Sequence, residues 1–99
     1  MLEKLTPDDF RPHLNSEFSI SAEGADGPLV VELIEVSDLG PAGRGPRNQP
    51  FSLLFRAPLG VALAQQIYAV SHPEMDTVDI FLVPINPDEK GMRLQAIFN

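Results

Sequence analysis

Prolines set the tightest limit on what this chain can become. Ten of them share 99 residues with seven glycines. Each proline removes a backbone donor and pushes the residue before it out of helical geometry. Long helices fail on that spacing; short extended segments joined by turns remain. With 43% hydrophobic and 21% charged residues, those segments fit a single domain over residues 1–99 with one thin core. The absence of cysteine excludes a disulfide framework, a thiolate nucleophile and a cysteine-type zinc site.

The first element is a helical turn. Thr6 suits an N-cap, Pro7 the first helical position, and Asp8 and Asp9 the positive end of the dipole. Leu5 and Phe10 bracket it as a hydrophobic staple. Pro12 is expected to stop the helix after about one turn. Residues 1–14 therefore read as an N-terminal plug that docks Leu5, Phe10 and Leu14 onto the body.

Beyond the plug the apolar period is two. Phe18 and Ile20 alternate with Ser19 and Ser21 in a short strand, and Asp26-Gly27 supplies a positive-φ turn. From Leu29 to Val36, Val31 and Leu33 share a face but Val36 falls out of phase, so a β-bulge is predicted near Ile34–Glu35. Gly40 to Pro50 is a Pro/Gly-rich loop. Phe51, Leu53, Phe55 and Ala57 mark the clearest strand, which Pro58 and Gly60 break; Val61-Ala-Leu63 follows as an apolar loop or brief edge segment. Gln66 to His72 alternates again, and His72 to Asp76 reverses the chain. Thr77 to Pro84 contains Ile80-Phe81-Leu82-Val83, apolar on both faces, and reads as a central strand covered on both sides. Asn86 to Gly91 turns into a last strand, Met92 to Phe98. Strands with such brief connections must mostly pair antiparallel. The expected fold class is all-β: a small six-stranded, mainly antiparallel sandwich or partly closed barrel with one short N-terminal helical turn.

Charge narrows the partners. Fourteen acidic against seven basic residues give −7, a balance that repels phosphate backbones and anionic lipid alike, so neither nucleic acid nor membrane is expected as a partner. The amino terminus shows no basic stretch leading into an apolar one, and no apolar run approaches the roughly 20 residues of a membrane span. Cytoplasmic location is the default expectation, with incorporation into an exported or phage-like assembly compatible with it.

Residues able to carry chemistry are few. His72 with Glu74 and Asp76 offers one nitrogen ligand across an X-Pro turn, a poor metal site. Its ring is expected to pack beside Tyr68 or to bond the turn. The pairs Glu32/Glu35 and Asp76/Asp79 read as solvated carboxylates or as partners of Arg56 or Arg93. No serine stands in a Gly-x-Ser-x-Gly turn, and Gly40 to Gly45 lacks the Gly-Lys-Ser/Thr ending of a phosphate loop. No catalytic residue, cofactor or metal is assigned. Arg44 and Arg47 are candidates for a binding arm; Val61, Leu63 and Met75, in or beside turns, are candidates for an apolar contact patch. A last strand free of proline, with Ile97 facing outward, is also suited to edge pairing with another subunit.

The segments Leu5-Thr-Pro-Asp-Asp-Phe10, Glu35-Val-Ser-Asp-Leu-Gly40, Phe51-Ser-Leu-Leu-Phe-Arg56, Tyr68-Ala-Val-Ser-His-Pro73, Phe81-Leu-Val-Pro-Ile85 and Gln95-Ala-Ile-Phe-Asn99 form a pattern. Together they resemble an uncharacterised bacterial family of small domains of unknown function, and the likeness spans nearly the whole chain. It implies no catalytic residues. Its association with proteins of the phage tail-collar or tail-fibre type implies a structural or assembly role. One departure is Glu74-Met-Asp76, where that pattern leads one to expect a glycine.

The expectation from these readings is a non-enzymatic interaction or structural module, an accessory of a tail-fibre-like assembly, with a protein partner or self-association. Two alternatives stand beside it: an acidic inhibitor that mimics nucleic-acid charge, and a small ligand-binding β-barrel or enzyme.

Overall fold

The computed structural model describes residues 5–22, 27–39, 50–58, 60 and 63–98. Its strands are β1 (Glu17–Ser21), β2 (Leu29–Asp38), β3 (Phe51–Ala57), β4 (Gln66–His72), β5 (Met75–Asp88) and β6 (Gly91–Phe98). Every ladder between them is antiparallel. The order β1-β2-β3-β6-β5-β4 closes on itself where β4 meets β1. The fold is thus a closed barrel, which decides between the sandwich and barrel expected from sequence. Closure also removes free edges. β6 lies between β3 and β5, so the edge pairing expected of the last strand has no edge to use.

Alternation puts one face of each strand inside. Phe18 and Ile20 of β1, Val31 and Leu33 of β2, Tyr68 and Val70 of β4, and Ile80 and Leu82 of β5 are buried there. They meet all four odd-numbered apolar residues of β3 and Leu94, Ala96 and Phe98 of β6. Side chains fill the lumen, as expected for a barrel this small. The predicted bulge is present: the β2–β3 register shifts between Leu33 and Glu35, leaving Val36 opposite Leu53 and packed against the core. Gly27, with φ 148°, has the positive φ expected at that reversal, while Asp26 lies outside the described residues.

β5 differs from its expected form. It runs on to Asp88 and changes partner midway, pairing with β4 from Met75 to Leu82 and with β6 from Val83 to Asp88. Both of its prolines fit this hand-over. Pro84 lies past the last β4 pairing, Gln66 with Leu82, and Pro87 sits in the register shift between Ile85 and Asp88; a missing donor is tolerated at either place. Nor is β5 covered on both sides. A barrel wall has one inner face, so Ile80 and Leu82 point in and Phe81 points out.

Both turns flanking β5 are tighter than the sequence suggests. The first is Pro73–Glu74, which makes Met75 a strand residue paired with His72. Neither turn residue has positive φ, so the glycine that the resemblance leads one to expect is not required. The second is Glu89–Lys90, where Oδ1 of Asp88 accepts the amides of Lys90 (2.9 Å) and Gly91 (3.0 Å).

The N-terminal plug consists of α1 (Pro7–Phe10) and a 3₁₀ turn over Arg11–His13. The α-helix ends after one turn, as expected, and Pro12 is accommodated in the first turn of the 3₁₀ segment that follows. The Asp9 carboxylate accepts the Thr6 amide at 2.8 Å, half of a capping box. Phe10 is buried with its ring centroid 6.0 Å from that of Phe51 and 6.5 Å from that of Phe98. Those two rings stack on each other at 4.5 Å. Arg11 donates to both carboxylate oxygens of Asp38 at 2.9 Å and also binds Asp8, tying the plug to the end of β2. Leu5 packs against the core as expected. Leu14 does not; it is 37% exposed. Asn15 then turns the chain into β1 at φ 69°, its amide donating to the Leu33 carbonyl at 2.7 Å.

Candidate functional site

The outer wall of β4, β5 and β6 carries an apolar stripe. Ile67 of β4 stands opposite Phe81 of β5. Val83 pairs with Gln95 where the β5–β6 ladder ends, and Ile97 lies two residues further along β6, paired with Ser52 of β3. Ile67, Phe81 and Ile97 are 61%, 49% and 56% exposed. Ile67 and Phe81, directly opposed on neighbouring strands, form a patch with Ile97 on the next strand, whereas isolated exposed hydrophobics are ordinary. Period-two alternation explains why they point outward: Tyr68, Ile80, Leu82, Ala96 and Phe98 beside them are committed to the lumen.

Two charges flank the stripe. Asp79 lies on β5 opposite Ala69, on one side of Phe81. Arg93 lies on β6 opposite Ile85, on the other side; its Nε donates to the Asn86 carbonyl at 2.8 Å. Over residues 67–69, 79–85 and 93–97 these are the two charged residues.

The residues selected from sequence lie elsewhere. Arg44, Arg47 and Val61 fall outside the described residues. Leu63 and Met75 are half-buried and pack against the core. They stand at opposite ends of β4, so the fold does not bring them together. Sequence reasoning misses Phe81 because an apolar run reads as two-sided burial, which a closed barrel does not provide. Its exposure is legible only once the wall is known to be single.

The histidines do come together. His13, on the 3₁₀ turn, and His72, at the end of β4, have ring centroids 4.2 Å apart, and the His72 ring lies 4.7 Å from Phe18. Nδ1 of His72 accepts the Glu74 amide at 3.0 Å, which puts the neutral ring's proton on Nε2. Hydrogen bonding to the turn is as expected; the ring neighbours are Phe18 and His13 rather than Tyr68. Tyr68 turns inward, its hydroxyl donating to the Ala64 carbonyl at 2.7 Å. Among the described residues no group of three or more His, Cys, Asp or Glu side chains is placed to hold a metal ion.

Arg56 organises the opposite flank. It binds Asp88 through Nε (3.1 Å) and Nη2 (2.5 Å), with Glu32 at 3.8 Å. Its hydrogen bond to Asp88, helped by the charges of Asp88 and Glu32, raises its pKa against the opposing effect of burial. The same hydrogen bond, reinforced by the Lys90 and Gly91 amides, lowers the Asp88 pKa to about 2. Glu35 accepts from Ser37 at 2.7 Å. The Glu32/Glu35 pair is therefore divided between separate local partners, with the bulge between them.

The depressions near these residues are open. One of about 260 Å³ lies at the mouth lined by Ile20, Leu29, Leu63 and Tyr68, at the end of β2 opposite the plug. Another of about 410 Å³ runs beside Phe18, Ser71 and His72. No helix among the described residues is long and apolar enough to cross a membrane.

Fold and surface together define a class: a small antiparallel β-barrel stoppered at one end by its own N-terminal helix. The chain belongs to the family described as a domain of unknown function, DUF6916, whose model matches residues 5–98. Comparison with curated proteins and with solved structures gives no match.

Proposed function

We propose that the protein is a non-enzymatic interaction or structural module that works through the outer face of β4, β5 and β6. One observation carries this reading: Ile67 and Phe81 are exposed directly opposite each other on adjacent strands, with Ile97 exposed on the next. Leaving that much apolar surface in water is unfavourable, and a protein partner relieves it. A lumen filled with side chains gives the barrel rigidity, so little conformational entropy is lost on binding. Charge mimicry draws less support, because Asp8, Asp38, Glu32 and Asp88 are each committed to an arginine. A tail-fibre-type assembly is the setting that the sequence resemblance implies, and co-purification with fibre or collar proteins tests it.

The face itself is tested by retention of partners from native extract on immobilised protein. Phe81→Glu is expected to lose what the wild type retains. Val30→Glu, a matched change at a half-exposed position on β2, is expected to keep it. Equal retention by all three proteins contradicts the proposal.

A further inference from the structure

We infer that the occupant of the β4–β5–β6 face is a second copy of this chain, docked about a two-fold axis; this rests on the interaction-face reading. The distribution of charge favours it. The chain carries −7, so two copies repel each other in most orientations. Over the stripe and its flanks Asp79 and Arg93 cancel, and the electrostatic cost of approach is low at this face. Self-complementarity points the same way. A two-fold contact places the same patch on both sides, so whatever one copy presents the other must accept. Let the axis run across the strands, level with Leu82. Phe81 of one copy then lies over Val83 of the other, and Asp79 is carried to the level of Ile85, beside Arg93. Both ends of the contact gain an opposite-charge pair, and Phe81 and Val83 close between them, while Ile67 and Ile97 do not face their own counterparts.

Size sets the strength. Half-exposed side chains of this kind leave on the order of 100 Å² each, so roughly 300 Å² comes from the three. A standard interface covers about 800 Å² per partner. Flanking Ala69, Val83 and Gln95 must contribute the rest, and the dimer is a weak, micromolar one rather than an obligate pair.

Sedimentation equilibrium over the micromolar to millimolar range tests this. The wild type is expected to pass from monomer towards dimer mass. Phe81→Glu is expected to remain monomeric with an unchanged circular dichroism spectrum, and Ile97→Lys repeats the test at a second exposed position. Asp79→Lys and Arg93→Glu alone are each expected to weaken association about tenfold, since each sets like charges against one another twice. Mixing those two variants restores association. In the heterodimer the introduced lysine faces the introduced glutamate at one end, and the native Asp79 faces the native Arg93 at the other. Such rescue cannot come from a local folding defect. A wild type monomeric throughout, association that survives Phe81→Glu, or a mixture no tighter than its components overturns the inference. If the wild type stays monomeric but extract partners are still lost with Phe81→Glu, the second copy fails as occupant while the interaction face stands.

Discussion

Gly91 enters β6 where an added Cβ would lie 2.0 Å from the Ala57 carbonyl oxygen and 3.0 Å from Cγ of Arg56. The obstacle is backbone, and β3 and β6 are paired there, Ala57 with Met92, so neither strand yields cheaply. Gly91→Ala is expected to cost about 1–3 kcal/mol in urea denaturation; unchanged stability would show that the two strands are further apart than described. Asp88 makes a different residue-scale prediction. Its pKa is held at about 2 against an ordinary value of 3.8. Its charge therefore stabilises the fold fully above that ordinary value, and the contribution is lost as pH falls towards the folded pKa. Asp88→Asn keeps the carbonyl oxygen that accepts the Lys90 and Gly91 amides and removes the charge. Thermal melts followed from pH 5 down to pH 2 are expected to fall more steeply for the wild type than for Asp88→Asn. Parallel curves would contradict the assignment. In the sequence Gly91 is legible as a turn residue and Arg56 as a partner for outer-face acids. The closeness of Ala57 and the choice of Asp88 depend on how β5 bends, which no local pattern encodes.

At the scale of elements, the plug and the strands differ in how far they can be read. Thr6, Pro7 and the Leu5/Phe10 staple are local signals, and the helix begins where they place it. The 3₁₀ continuation past Pro12 and the meeting of His13 with His72 are tertiary and leave no periodic trace. The bulge is legible because Val36 breaks phase with Val31 and Leu33. The change of partner along β5 is not, since its apolar run satisfies a two-sided sheet and a barrel wall equally well. The plug also separates two kinds of contact. Phe10→Ala removes a fully buried ring and is expected to cost about 3–5 kcal/mol. Arg11→Ala removes ion pairs open to solvent and is expected to cost much less. Denaturant unfolding of the two variants ranks them; a larger loss for Arg11→Ala would mean that the plug is held by charge rather than by packing.

For the whole molecule, closure is the fact that assigns roles. Six strands wrapped into one wall commit their inward side chains to the core, and the proposed function falls to the outer face. All-β architecture and strand number follow from proline spacing and alternation. Closure itself does not, because the contact between β1 and β4 joins segments far apart in sequence. Nor does the candidate face, which depends on the relative register of three strands. The molecule is expected to meet another copy of itself at that face, and a series of ¹H–¹⁵N spectra recorded on dilution locates the contact directly. Shifts confined to residues 66–69, 79–83 and 93–97, with the plug and β2 unmoved, are the predicted result. Shifts centred on the plug or on β2, or spectra that do not change across the dilution, would contradict it.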